Sequence, residues 1–248
     1  MNSLPQHHAL LGVDVIGSAR NPGHYLEKLQ SSTDTMLRTA LTDAGVQLSR
    51  ATNWEPTGDG ALVTLPSSDL GALFDAASLL EVKAAEHNRW HKPDVRLRIA
   101  VHVGPVGPEP GYYEPKITLS RLLNAPVFKQ VVERCLAERR GDVNTGLIVS
   151  DNAYRAVFGG DHTRLVTQAE FASVAASDKE FAQPAWIRVP GFEAKSLVAS
   201  VAAEGPASAS GAAPAGTPNG SMQNTANGPM SGLQANTIAG NVSFRMGQ

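Results

Sequence analysis

The chain has 248 residues, 42% of them hydrophobic, and a formal net charge of −2. That length can bury one substantial core, with or without a tail, and the lack of a basic field excludes nucleic acid as an expected partner. A single cysteine, Cys135, excludes a disulfide framework and suits a reducing cytosol. No apolar run approaches a membrane span and the N-terminus carries no secretory pattern, so a soluble, cytoplasmic protein without a membrane partner is expected.

Ala9 to Ile16 is an apolar run, the mark of a strand buried on both faces, yet it contains Asp14. An ionised carboxylate there is costly unless compensated, and a metal ion is the usual compensation. Asn21-Pro22 predicts a helix start, and Tyr25, Leu26, Leu29, Met36, Leu37, Ala40, Leu41 and Ala44 recur at helical spacing until Gly45 ends it. Val46 to Asn53 reads as a second strand, leading through Trp54-Glu55-Pro56 into Thr57-Gly58-Asp59-Gly60. That tetrapeptide is a tight turn with Asp59 at its tip, followed by a third strand from Ala61 to Leu65. Asp69 opens a helix whose apolar face is Leu70, Leu73, Phe74, Ala77, Leu80 and Ala84.

Val95 to Val103 is the clearest strand, with Gly104-Pro105 expected to stop it. A Pro/Gly-rich loop from Val106 to Pro115 precedes helices over 116–124 and 127–139, then a strand over 147–150 and two late strands over 186–189 and 196–201. His102 lies in an apolar strand and reads as a hydrogen-bonded core histidine, while His87 and His91 read as a solvated helix end, having no HExxH pattern. Strands alternating with helices, some joined as hairpins, indicate an α/β sandwich with a mixed sheet. The core is expected over 5–203. From Glu204 to Gly228 small and polar residues predict a flexible linker. Over 229–248 the uncharged stretch Leu233 to Phe244 has the composition of a segment that self-associates edge-on, with a disordered end as the alternative.

Taken singly, Asp59-Gly60 is an ordinary hairpin turn and Asp14 a strand end. Together, and with Gly17-Ser18 just before a helix whose dipole favours anions, they make the pattern of a divalent-metal site beside a triphosphate.

Val13-Asp14-Val15-Ile16-Gly17-Ser18 resembles the first metal motif of class III nucleotidyl cyclases, and Thr57-Gly58-Asp59-Gly60 resembles their second. Leu97 to Val106 looks like the family's Arg-Ile-Gly-Ile-His-x-Gly strand, and Ser120-Arg121-Leu122-Leu123-Asn124-Ala125 resembles the segment bearing its transition-state arginine. The resemblance covers about residues 9–128. It implies a ferredoxin-like α+β cyclase domain, working as a head-to-tail homodimer with active sites at the interface. It also implies two Mn²⁺ or Mg²⁺ ions per site, held by Asp14, Asp59 and the carbonyl of Val15, with Gly17 and Ser18 at the phosphates and Arg121 at the transition state. One ion would activate the ribose 3′-hydroxyl and the other would clamp the triphosphate. The family's ribose-orienting asparagine is replaced by Ile117.

The base-reading position, a lysine in adenylate cyclases and a glutamate in guanylate cyclases of this family, is here Glu55 beside Trp54. An aromatic in the base pocket would shrink it toward a pyrimidine; packing against the sheet is the alternative for Trp54. Small bacterial cyclases of this kind resemble the pyrimidine cyclases of Pycsar antiviral defence, so UTP conversion to cyclic UMP and pyrophosphate is the expected reaction. CTP or purine turnover, and a dimeric pseudo-cyclase that only binds nucleotide, are the alternatives. A haloacid-dehalogenase-type phosphatase would need an acid where Ile16 stands.

Overall fold

The computed structural model describes residues 5–20, 22–107, 113–139, 141–178 and 181–202. Asn21, the loop residues 108–112, and the linker and end segment expected over 204–228 and 229–248 lie outside the described residues.

The elements run β1 (Gln6–Val15), α1 (Gly23–Asp43), β2 (Asn53–Pro56), β3 (Ala61–Pro66), α2 (Leu70–Trp90) and β4 (Leu97–Val106). They continue as α3 (Glu114–Asn124), α4 (Pro126–Glu138), β5 (Thr145–Ser150), α5 (Asp151–Phe158), β6 (Ala172–Asp178), β7 (Phe181–Arg188) and α6 (Ala194–Ala202). Among the described residues the strands form one seven-stranded sheet in the order β2-β3-β1-β4-β5-β7-β6. Every neighbouring pair is antiparallel except β4 with β5. The first four strands with α1 and α2 are thus two interleaved βαβ units, the ferredoxin-like arrangement.

Two cores sandwich the sheet. Leu29, Leu37, Leu41 and Leu73, Phe74, Leu80 bring α1 and α2 onto Ala9, Leu11, Val13 and Ile99, joined by Tyr154 of α5. On the opposite face Leu119, Leu122, Phe128, Val132 and Leu197 bring α3, α4 and α6 onto Leu10, Ala100 and Ile148. β1 carries alternate residues to the two cores, which is why its sequence is continuously apolar. Four acceptances by Glu81 tie α2 to the entry of β5, from Asn144 N–H and side chain and from Thr145 Oγ1. A buried Asp75 takes the backbone N–H groups of Arg164 and Leu165, pinning the segment after α5. No helix among the described residues is long and apolar enough to cross a membrane.

Several expectations need correction. Val46 to Asn53 is not a strand: the chain passes through a single 3-10 turn, and pairing starts only at Asn53, opposite Thr64. Trp54, Glu55 and Pro56 are therefore strand residues rather than a connection. β4 does not stop at Gly104-Pro105 but pairs with β1 through Val106. Beyond Val101 it has no β5 neighbour, the edge situation in which proline is tolerated. The segment read as a strand over 196–201 is helix α6, whose Leu197 is buried in the second core. α5 and β6 were not expected. Pro22 precedes α1 rather than opening it, while Gly45 ends it with φ +93° as expected.

Candidate functional site

Asp14 lies one residue before the end of β1, on the face shared with Leu10 and opposite Val13 and Val15. Asp59 reaches it from the β2–β3 turn, which closes through the Thr57 N–H donating to the Gly60 carbonyl at 3.0 Å. Gly58 supplies the turn's left-handed residue, at φ +91°. Gly60 supplies something different: a Cβ there would sit 1.9 Å from the Val13 carbonyl oxygen and 3.1 Å from Asp14 Cα. Only a residue without a side chain lets the turn rest directly on the end of β1.

The result is that the Asp14 and Asp59 carboxyls lie within hydrogen-bonding reach of each other. Ser18 Oγ donates to Asp59 from the turn after β1, where Gly17 has φ +72°. Arg98 stands opposite Asp14 in the β1–β4 register and donates to its carboxylate. Burial pushes the Asp14 carboxyl above its usual range, Arg98 pulls against that, and the facing Asp59 pushes the same way as burial. Val15, whose carbonyl was expected as a ligand, ends β1 in register with Leu97.

Glu55 shares its face of β2 with Asn53. Both the Asn53 amide and the Lys116 ammonium, at the start of α3, donate to Glu55 Oε1. Trp54 points the other way. The Arg38 guanidinium lies 3.9 Å from the centre of its ring, and its indole packs against the α1 side of the sheet. Successive strand residues face opposite sides, so Trp54 and Glu55 line no common wall within one chain. Arg121 sits in the second half of α3 with its guanidinium 5.8 Å from the centre of the Phe181 ring. Among the described contacts it is not joined to Asp14 or Asp59, and Ile117, one turn earlier, is exposed.

His102 is a core histidine, as expected: Nδ1 pairs with Ser150 Oγ at 2.8 Å, and burial lowers its pKa to about 4.

No protein-family model matches the chain and no curated protein matches it. Solved structures do. A bacterial light-regulated adenylyl cyclase superposes with a TM-score of 0.52 at 10% identity, over 80% of this chain and 57% of that longer one. The guanylate cyclase domain of RhGC from Catenaria anguillulae, solved with GTP, gives a TM-score of 0.48 at 11% identity, over 75% of this chain and 98% of that one. The guanylyl cyclase Cya2 gives 0.48 at 13%, over 76% and 93%.

This chain has the class III nucleotidyl cyclase fold. At such identities the likeness concerns the fold alone.

Within that fold, the residues at the end of β1 suit a divalent ion in one specific manner. Among the described residues no group of three or more His, Cys, Asp or Glu side chains converges. Mg²⁺ typically takes only one or two carboxylates and fills its remaining positions with substrate phosphates and water. Two facing carboxylates, one of them held above its usual range chiefly by burial and further by its neighbour's charge, are a fit for that donor set. Three groups at the site were not read as site residues from the sequence. Arg98 falls in the β4 strand motif without a predicted role, Asn53 meets Glu55 only once the two are placed on one face of a strand, and Lys116 reaches Glu55 across 61 residues only through the fold.

Proposed function

We propose that this protein is a homodimeric, Mg²⁺- or Mn²⁺-dependent nucleotidyl cyclase that converts UTP to cyclic UMP and pyrophosphate. The observation that carries the cyclase reading is the meeting of Asp14 and Asp59 across the β1 end, with Ser18 bonded to Asp59. Bound divalent ions would neutralise triphosphate charge and acidify the ribose 3′-hydroxyl. Asp14, Asp59 and the Val15 carbonyl would hold them. Ser18 fixes the rotamer of Asp59, and Arg98 offsets part of the charge at Asp14. Gly17 and Ser18, in the turn just after β1, would stand beside the triphosphate. In the reaction the O3′–Pα bond forms, the Pα–O bond to the β-phosphate breaks, and pyrophosphate leaves while the hydroxyl proton passes to water. Arg121 serves from the partner subunit, where its charge meets the oxygens of the transition state.

The pyrimidine reading draws support from Glu55 rather than from Trp54. Glu55 is an acceptor attended by two donors, the Asn53 amide and the Lys116 ammonium. Uracil presents acceptor, donor, acceptor at O2, N3–H and O4, the complement of that set, whereas cytosine offers a donor at N4 and guanine two adjacent donors. Sites that hydrogen-bond a base edge reject an analogue that leaves a polar group unpaired. Production of cyclic UMP as an antiviral alarm signal follows from the resemblance to Pycsar cyclases. A second reading, a pseudo-cyclase that binds nucleotide without turnover, is favoured by exposed Ile117 where the family orients the ribose.

The test is incubation of the purified protein with each ribonucleoside triphosphate and Mn²⁺ or Mg²⁺, beside Asp59→Ala. Cyclic UMP formed by the wild type and lost in the variant is the expected result. A different single product refutes the base assignment, and binding without product selects the pseudo-cyclase.

A further inference from the structure

Among the described residues the sheet ends in two edges, β2 and β6, and they are built differently. β2 has four residues, carries the charged Glu55 and closes on Pro56, features that discourage a further strand from pairing there. β6 has none of them. It runs from Ala172 to Asp178, with no lysine, arginine or proline and no charge before its last residue. Its register with β7 is unbroken, from Ala172 opposite Ile187 to Asp178 opposite Phe181, so no bulge twists it away. Pro184 of β7 stands opposite Ala175 and has no N–H to give, which marks that pair as a non-hydrogen-bonded one. By alternation, Ser173, Ala175 and Ser177 aim their backbone N–H and C=O groups away from β7. The side chains of the same three residues are exposed, while Ala172, Val174 and Ala176 face the second core.

We propose that β6 pairs antiparallel with β6 of a second copy of this chain, joining two sheets into one. The twofold pairing that overlaps the whole strand centres on Ala175. It sets Ala175 against its own copy, Ser173 against Ser177 and Val174 against Ala176, and the outward groups close about six ladder hydrogen bonds. The side chains that meet are small and uncharged, and the seryl hydroxyls stand opposite each other. Asp178 comes opposite Ala172 rather than its own copy, so no like charges face each other. This self-complementarity in size and charge is what a second copy matches and an unrelated strand does not. The twofold axis stands perpendicular to the sheet, which keeps the helix-covered faces of both copies on one side. There α6 packs on β6 and leaves Val198 40% exposed, adding apolar surface at this edge. A single pair of strands falls short of the ~1,200 Å² of a stable interface, so the association is weak, with a Kd on the order of 10–100 μM. The contact uses none of Asp14, Asp59 and Glu55, and it stands whether or not the chain is a cyclase. Beside a homodimer formed elsewhere on the surface, it links dimers into larger assemblies.

Sedimentation velocity of the full chain, over about 5 to 500 μM in EDTA without triphosphate, reads the association. Wild type gains mass across that range. Ala175→Pro removes one outward N–H and keeps the bonds to β7, and Ala175→Lys sets two like charges against each other at the twofold. Each variant moves the gain in mass to at least about tenfold higher concentration, while the melting temperature of the dilute protein stays within a few degrees. The register is read separately by cysteine pairing under mild oxidation, in a Cys135→Ala background that removes the one native thiol. Ala175→Cys couples to its own copy, the two Cα atoms standing about 5.5 Å apart. Ser173→Cys couples to Ser177→Cys and not to itself. Constant mass at every concentration overturns the proposal. So does association equal to wild type in either variant, and so does a Ser173→Cys protein that couples to itself as readily as Ala175→Cys.

Discussion

Replacing Gly60 by alanine tests how the site is held together. The added Cβ would stand 1.9 Å from the Val13 carbonyl oxygen and 2.8 Å from its carbonyl carbon, both backbone atoms that no rotamer change can move. To reach a tolerable contact the turn must retreat from β1 by about 1 Å, carrying Asp59 away from Asp14. Overpacking of this kind costs about 1–3 kcal/mol, and in a domain of this size each kcal/mol lowers the melting temperature by roughly 2–4 °C. A displacement of ~1 Å in a positioned group lowers catalysis on the order of 100-fold. Gly58→Ala is the control: nothing lies within 4 Å of its added Cβ, but its φ of +91° strains any side chain. It should lose stability of about 1 kcal/mol with a much smaller fall in turnover. Initial rates of cyclic nucleotide formation, beside thermal melts of the three proteins, decide the matter. A Gly60→Ala protein with wild-type rate and melting temperature refutes the idea that this contact seats the site. So does one whose rate falls no further than that of Gly58→Ala.

Lys116→Ala leaves Glu55 with one donor instead of two, so kcat/KM for UTP should fall about 10- to 100-fold and the preference for UTP over CTP should narrow; an unchanged UTP-to-CTP ratio excludes Lys116 from base recognition. Burial holds His102 neutral with a pKa of about 4, so between its ordinary pKa near 6.5 and that value the unfolded chain binds the proton more readily. This residue's contribution to stability is therefore complete above about pH 6.5 and shrinks as pH falls, by about 2 kcal/mol between pH 7 and pH 5. Urea midpoints at the two pH values should show that loss, and His102→Asn should show about 2 kcal/mol less of it; equal pH slopes would contradict the linkage.

Much of the fold is legible in the sequence because burial and periodicity coincide there. α2 exposes one apolar stripe, and all six of the residues that mark it are buried. β1 reads as doubly buried, and it is. The Asp59 turn is legible for a local reason, since its glycines at 58 and 60 are demanded by a positive φ and by a backbone contact. Misreadings arise where local composition and tertiary context part. Leu197, Val198 and Val201 look like a strand, but α6 forms because Leu197 finds its place in the second core. Val46 to Asn53 has strand-forming residues, but Val46 is buried in the first core and Leu48–Arg50 turn as a 3-10 helix, so pairing with β3 begins only at Asn53. The aspartates could be picked out because a carboxylate in an apolar run is conspicuous. Lys116 could not, since a lysine opening a helix is ordinary until Glu55 is brought beside it. Trp54 was assigned to the same wall as Glu55 because the two were read as a connection, in which alternation does not apply.

β2 is four residues long, and its alternation separates an indole stacked under a guanidinium from a carboxylate gripped by an amide and an ammonium. Inserting or deleting a single residue in this ribbon would exchange the two, sending the charge into an apolar wall and the ring out toward Lys116. Lineages carrying this domain are therefore free to change the side chains of β2 by substitution in place, while its length stays fixed.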